Sequence, residues 1–159
     1  MKPRIYIETT VVSYLTARPT RDLIARARQE ITRAWWNRRA ALYECVISQL
    51  VLDESAAGDA FAARQRLAAV LAYPLLAGGP AITGLAERFV RPDCIPAKAK
   101  DDALHLALCA VHGVPYLLTW NFRHLANPEN RRILFDVCAK AGYELPVICT
   151  PDEMMKGDL

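Results

Sequence analysis

The sequence lacks any long uninterrupted run of apolar residues. No segment approaches the roughly 18 apolar residues that a membrane span requires, and the N-terminal MKPRIYIETT contains no apolar core of a signal peptide. Internal repeats and low-complexity segments are also missing. We therefore expect a cytoplasmic protein with no membrane partner.

Paired cysteines are missing as well. The sequence has five cysteines, an odd number, with no C-x-x-C pair, and four of them lie in apolar runs. A disulfide framework or a zinc site normally shows paired cysteines at regular spacing. The pattern predicts reduced thiols in the core of a protein from a reducing compartment.

The motifs of several enzyme classes are absent too. The sequence contains neither a glycine-rich phosphate-binding loop nor the D-x-D-x-T pattern that a small-molecule phosphatase or a flavodoxin-like receiver would show. No serine or cysteine with a histidine base resembles a nucleophile, so covalent catalysis has no support.

What is present is the composition of one folded domain. The 159 residues are 53% hydrophobic and 23% charged, which is typical of a globular chain that buries its own core. The net charge of +3 is mildly basic and permits contact with a polyanion without requiring it. We expect a single domain over residues 1–159.

Strand-like and helix-like segments alternate along the chain. Short apolar runs predict strands in RIYIE, YECVIS, PYLLTW and LPVICT, and either a brief strand or an extended link in PLLAGG. Helical periodicity fills the segments between them, including one long helix from about residue 20 to 42. Thr9 or Thr10, Thr20, Ser48 and Asn127 are the expected helix caps. This order predicts a three-layer α/β/α domain with a mostly parallel sheet, followed by a frayed DEMMKGDL tail.

Acidic residues occur where these strands end, which is where sites form in parallel sheets. Glu8 ends the first strand, where it is either a functional acid, a solvated boundary residue or an acceptor for N–H groups of the next helix. Glu54 follows the second strand and shares a helix face with Leu50 and Val51. A carboxylate on that face needs either a basic partner, most simply an arginine, or a bound cation.

Asp101 and Asp102 begin the helix in AKAKDDALHLALCAVHG. The helix dipole alone explains acids in a first turn, and periodicity does not choose between the two. If Glu8, Glu54 and one of these aspartates converged, their mutual repulsion would require a cation such as Mg²⁺ or Mn²⁺.

Four segments together resemble the PIN domain, and more closely the toxin-type PIN ribonucleases of bacterial toxin–antitoxin pairs. IYIETTVVSYL resembles the opening strand, acid and helix of the family, and ISQLVLDESAAGD its serine and glutamate segment. DDALHLALCAVHG is similar to the D-A-L-x-x-A helix, and YLLTWNFRHL to the strand ending in T-x-D or T-x-N. The resemblance covers most of the chain.

This resemblance implies a Rossmann-like fold and a carboxylate cluster that binds Mg²⁺ or Mn²⁺ and hydrolyses RNA. It maps the metal ligands onto Glu8, Glu54 and Asp102, with Glu54 acting directly, through water, or by orienting the attacking water. Asn121 would then hold a metal-bound water or a phosphate oxygen. Asp53 and Asp101 are bystanders in this mapping.

The remaining residues of the implied site are the substrate-binding ones. Thr9 is expected to fix Glu8, Thr119 to line the site, and Arg123 to contact the scissile phosphate. His124 either contacts the same phosphate or is a loop residue or a cap. An antitoxin protein and a second copy of the chain are the implied protein partners.

The sequence departs from the family at two of these positions. Glu8 stands where the family usually has aspartate, and Asn121 removes one negative charge if the position would otherwise be aspartate. The alternative function is therefore a PIN-like protein without catalysis that serves as an RNA-binding or assembly module.

Residues 18–39 are rich in arginine. Seven arginines and two acids leave five net positive charges, and Trp35 and Trp36 lie among them. These residues could bind phosphates and stack on bases, but a solvated helix face with tryptophans packed inward or into a dimer is favoured. His105 and His112, on the apolar helix, are expected to be core or edge residues rather than ligands.

Overall fold

The computed structural model describes residues 1–157, and Asp158 and Leu159 at the end of the expected frayed tail lie outside that range. The strands are β1 (Arg4–Ile7), β2 (Glu44–Ser48), β3 (Leu75–Leu76), β4 (Tyr116–Leu118) and β5 (Val147–Cys149). The α-helices are α1 (Thr9–Thr16), α2 (Leu23–Arg38), α3 (Gln49–Ser55), α4 (Ala60–Val70), α5 (Pro80–Phe89), α6 (Lys100–Val111) and α7 (Pro128–Ala141). Three 3₁₀ turns span Ala40–Leu42, Ala97–Ala99 and Glu153–Met155.

The five strands form one sheet in the order β3-β2-β1-β4-β5, and every pairing is parallel. In the central strand, Tyr6 is in register with Val46 of β2 and with Leu117 of β4. The parallel sheet predicted from the alternating segments is confirmed.

The central strands are apolar on both faces because helices cover both sides of the sheet. Ile5, Tyr6 and Ile7 of β1 and Leu117 and Leu118 of β4 are all fully buried. Helix α1 contacts α2, α3 and α4, and α5 contacts both α6 and α7. The expected three-layer α/β/α architecture is therefore the observed one.

Side chains at the helix starts explain where several helices begin. Ser48 accepts a hydrogen bond from the backbone N–H of Val51, and Asn127 caps α7, both as expected. The expected Thr20 cap is wrong, because Asp22 accepts the backbone N–H of Ala25 at the start of α2. That helix ends at Arg38 and continues only as the 3₁₀ turn Ala40–Leu42, so the expected end near residue 42 is also corrected.

The described part of the tail does not fray. Glu153–Met155 form a 3₁₀ turn, and the Met155 side chain is fully buried in the hydrophobic core. Burial of this apolar side chain supplies the ordering that the polar sequence around it did not predict.

The five cysteines are all free and buried, as predicted. Burial raises the pKa of each thiol, most strongly at Cys109, which keeps them protonated. Over residues 1–157, no helix is both long and apolar enough to cross a membrane.

Candidate functional site

The candidate site lies where the strand order reverses, between β1 and β4. From β1 the sheet continues through β2 and β3 on one side and through β4 and β5 on the other. The backbone N–H of Glu8, just after β1, donates to the carbonyl of Leu118 at the end of β4, with 3.1 Å between the two atoms. In open parallel sheets, ligands bind beyond the strand ends at such a reversal.

Glu8 is held at this point by two threonines. Its Oε2 atom accepts hydrogen bonds from the backbone N–H and the hydroxyl of Thr10 and, at 2.8 Å, from the hydroxyl of Thr119. The side chain is only 3% exposed and caps α1. Glu8, rather than Thr9 or Thr10, is therefore the N-cap of α1. This confirms one of the alternatives for Glu8, that it accepts N–H groups of the next helix.

Burial dominates the electrostatics of Glu8. It raises the pKa of the carboxyl group, and the charge of His105 and the three hydrogen bonds offset only part of that effect. The hydrogen bonds that the Glu8 carboxylate forms within residues 1–157 all involve its Oε2 atom, so its Oε1 atom is left for another partner.

Glu54 is held from two other elements. Its Oε1 atom accepts the hydroxyl hydrogen of Thr9, at 2.7 Å, and lies 2.6 Å from Nε2 of His105. Two expectations are thereby corrected: Thr9 fixes Glu54 rather than Glu8, and the basic partner of Glu54 is a histidine rather than an arginine. Thr9 and Thr10 separate because adjacent helical residues point about 100° apart.

His105 belongs to the candidate site by its contacts, although the sequence pattern predicted only a core or edge residue. Its ring is fully buried, as a core residue should be, yet Nδ1 lies 2.7 Å from the Tyr6 hydroxyl and Nε2 bonds to Glu54. The Tyr6 hydroxyl also lies 2.7 Å from Oγ of Ser48. Helical spacing of three residues from Asp102 was the signal that could have pointed to it.

The charges around His105 favour its protonated form. Burial alone would lower the pKa of the imidazole, but the hydrogen bond with Glu54 and the charges of Glu8, Glu54 and Asp102 outweigh it, so the pKa is raised. The pKa of Glu54 is lowered, since the bond to His105 and its charge outweigh the opposite effect of burial. Three carboxylates around His105 therefore favour its protonated form.

Asp102 and Asp101 occupy different environments. Asp102 is partly buried, and its Oδ2 atom lies 2.8 Å from Nδ1 of His124. Asp101 is exposed. The topology therefore separates two aspartates that periodicity could not.

Asn121 links these groups to Glu8. Its backbone N–H donates to the Thr119 hydroxyl, which in turn donates to Glu8. Its side-chain oxygen accepts the backbone N–H of His124 at 3.0 Å. The oxygen is therefore already engaged, and the amide NH₂ group is left as a donor, which suits a phosphate oxygen better than a metal ion.

The three mapped carboxylates have the chemistry of a hard-cation site. Glu8, Glu54 and Asp102 each use one oxygen in the hydrogen bonds given above, so each retains a second oxygen, and carboxylate oxygens suit Mg²⁺ and Mn²⁺. In the described arrangement, however, no three His, Cys, Asp or Glu side chains of residues 1–157 stand close enough together to hold a metal ion. The donors fit in kind, and binding would require them to move closer together.

The arginine-rich helix is largely a solvated face with its tryptophan side inward. Trp35 is fully buried, and Trp36 packs against Tyr73 with 5.8 Å between ring centroids. Arg26 and Arg33 both pair with Glu30 at the surface. The inward packing favoured from sequence is the observed one for Trp35.

Comparisons with known proteins identify no relative. No family model matches the chain, and neither the curated proteins nor the solved structures include a significant match. The geometry and chemistry of the site itself are therefore the basis of the function proposed below.

Proposed function

We propose that the protein is a PIN-type, divalent-metal-dependent endoribonuclease. The observation that supports this most is the gathering of carboxylates at the strand-order reversal: Glu8 and Glu54 are held by adjacent threonines of α1. Asp102 joins the same network through His124 and Asn121. Buried and partly buried acids that share one edge of a parallel sheet are a costly arrangement unless a cationic ligand balances them.

In this proposal Glu8, Asp102 and Glu54 hold Mg²⁺ or Mn²⁺ through their uncommitted oxygens. The ion supplies charge neutralisation of the phosphodiester and activation of water. Thr10 and Thr119 orient Glu8, while Thr9 and His105 orient Glu54.

Two groups of the chain are available to bind the substrate. The free NH₂ group of Asn121 donates to a phosphate oxygen, and the exposed Arg123 next to it supplies positive charge. His124 acts indirectly in this proposal, because its ring is already bonded to Asp102. Its role is to position Asp102 rather than to contact the phosphate.

The proposed setting follows from the same resemblance. A toxin-type enzyme would act in the cytoplasm, be held by an antitoxin and form a homodimer. The five free thiols agree with a reducing compartment.

The decisive experiment compares Asp102→Ala with Asp101→Ala in an RNA cleavage assay with Mg²⁺ or Mn²⁺. The two substitutions remove the same charge from the same helix turn, so only the site assignment distinguishes them. We expect Asp102→Ala to lose at least about 100-fold in rate and Asp101→Ala to retain activity. Equal activity of the two variants would contradict the site assignment.

A second function, RNA binding or assembly without catalysis, is favoured by one specific observation. Glu8 has a sufficient structural role as the cap of α1, and the acids are not close enough together in the described arrangement to hold a metal ion. RNA binding by the wild type, with no cleavage and no heat of Mn²⁺ binding, would select this function.

A further inference from the structure

Aromatic side chains lie directly beside Asn121, and the proposed function does not use them. Trp120 and Phe122 flank this residue in the sequence, with 6.1 Å between their ring centroids. Tyr14 of α1 packs edge-on against Trp120 at 6.0 Å. We call Tyr14, Trp120, Phe122 and the guanidinium of Arg28 the aromatic shelf.

The shelf is anchored to the carboxylate network. The backbone N–H of Trp120 donates to the Thr10 hydroxyl that also holds Glu8, and its indole N–H donates to Thr32 of α2 at 2.8 Å. Trp120 is therefore fixed by two elements. Phe122 packs against this anchored ring.

Phe122 is the exposed end of the shelf. Its side chain is 45% exposed, whereas the neighbouring Trp120 is buried. Removing an aromatic ring from water is favourable, so this exposure leaves binding surface unused. The ring thus offers apolar surface to solvent one residue beyond Asn121.

Arg28 adds a cation that has no carboxylate partner in the described part of the chain. Its guanidinium carbon lies 4.8 Å from the centroid of Phe122 and 5.7 Å from that of Trp120. Arg28 is half-buried, and among residues 1–157 its hydrogen bond goes to the neutral Tyr14 hydroxyl rather than to an acid. Arg26 and Arg33 of the same helix, in contrast, both pair with Glu30.

An exposed aromatic ring next to a guanidinium that forms no ion pair within residues 1–157 matches the chemistry of an unstacked nucleotide. The base stacks on the ring, and the guanidinium binds the phosphate. A base inside a duplex has both faces covered by its neighbours and cannot stack in this way. We infer that Phe122 and Arg28 bind a nucleotide of single-stranded RNA adjacent to the phosphate held at Asn121; this inference rests on the proposed function.

The test measures RNA binding by fluorescence anisotropy in a chelator, so that it does not depend on cleavage. The probes are a labelled single-stranded RNA heptamer and a duplex of the same sequence. We expect Phe122→Leu to weaken heptamer binding about 5- to 50-fold, Phe122→Trp to preserve it, and neither to change duplex binding. Arg28→Gln should weaken heptamer binding and reduce its salt dependence.

Phe61→Leu is the matched control. Phe61 is 49% exposed, and the guanidinium of Arg18 lies 5.4 Å from its ring centroid, so it reproduces the ring, the exposure and the cation on α4. Circular dichroism and thermal unfolding of each variant establish that the fold is retained. Heptamer binding by Phe61→Leu should equal that of the wild type.

Several outcomes would overturn the inference. These are equal losses in Phe122→Leu and Phe61→Leu, equal wild-type affinity for heptamer and duplex, or a change of oligomeric state in Phe122→Leu with unaltered RNA affinity, which would assign the ring to a protein interface. The two proposals fail separately. Binding that depends on Phe122 without any cleavage rejects only the nuclease, and cleavage unaffected by Phe122→Leu rejects only the shelf.

Discussion

His105 Nε2 lies 2.6 Å from Glu54 Oε1 and so joins two side chains that are 51 residues apart in the sequence. The imidazole is completely buried, whereas the glutamate keeps 32% of its side-chain surface exposed. Tyr6 and Ser48 extend the contact into the sheet. The imidazole of His105 is thus held by Tyr6 inside the core and bonds to Glu54 at the solvent boundary. The position of the Glu54 carboxylate therefore depends on the packing of the core.

The first prediction concerns the pH dependence of this pair in a chelator. Because the folded-state pKa of His105 is raised, its contribution to stability is complete below the unfolded pKa, about 6.5, and is lost as pH rises through the folded value. Because the pKa of Glu54 is lowered, its contribution is present above about 4.5 and is lost as pH falls through the folded value.

Urea unfolding from pH 5 to 9 measures this effect. His105→Gln should unfold with a free energy about 1–3 kcal/mol below that of the wild type near pH 6, and the difference should shrink towards pH 9. His112→Gln is the control, since the bond of that ring within residues 1–157 is to the carbonyl of Ala77 at the surface. A constant difference between wild type and His105→Gln across the range would contradict the charged pair.

The second prediction separates stability from activity at Glu8. Burial raises the pKa of this carboxyl group, so its ionised form opposes folding as pH rises. Glu8→Gln keeps an oxygen for Thr10 and Thr119 but removes the charge. We expect the variant to be more stable than the wild type by about 1 kcal/mol at pH 8, with no gain at pH 4 and no cleavage. Urea unfolding at both pH values checks this, and a variant less stable at pH 8 would contradict it.

The third prediction tests the threonine that joins Glu8 to the aromatic shelf. Thr10→Val removes a hydroxyl that donates to Glu8 and accepts the Trp120 N–H. The Trp120 N–H then loses this partner, whereas Glu8 keeps the hydrogen bonds from the Thr10 N–H and the Thr119 hydroxyl. The substitution should lower the free energy of unfolding by about 1–3 kcal/mol. Thr16→Val on the same helix loses only a bond to the carbonyl of Val12 and should change it by less than about 1 kcal/mol. Thermal unfolding of the two variants measures this difference. Equal losses of stability in Thr10→Val and Thr16→Val would contradict the role of Thr10 in joining Glu8 to the aromatic shelf.

The fold could be predicted because its signals are local. Continuous apolar strands such as RIYIE, and caps such as Ser48 and Asn127, reveal the alternation of elements and thereby the parallel sheet. Met155 escaped prediction because its burial depends on how a polar tail folds back against a distant core.

The site was harder to predict because its contacts are long-range. The sequence could propose Glu8 from the end of the first strand and Glu54 from its apolar helix face, whereas Asp102 was chosen over Asp101 by the resemblance to PIN domains alone. It could not show that Thr9 and Thr10 hold different acids, or that His105, whose spacing is that of a core residue, bonds to Glu54. Those facts depend on how α1, α3 and α6 pack, which no local pattern specifies.

The last prediction concerns the missing charge at Asn121. Asn121→Asp still accepts the His124 N–H but adds a carboxylate to the residue whose backbone N–H bonds to Thr119, which itself donates to Glu8. Like charges repel, so the variant should be less stable than the wild type in a chelator, whereas Mn²⁺ should bind about tenfold more tightly and raise its melting temperature further. Asn127→Asp, which keeps the cap of α7, should respond to Mn²⁺ as the wild type does. Thermal unfolding with and without Mn²⁺ measures both effects, and an identical Mn²⁺ response in the three proteins would contradict a cation site at Asn121.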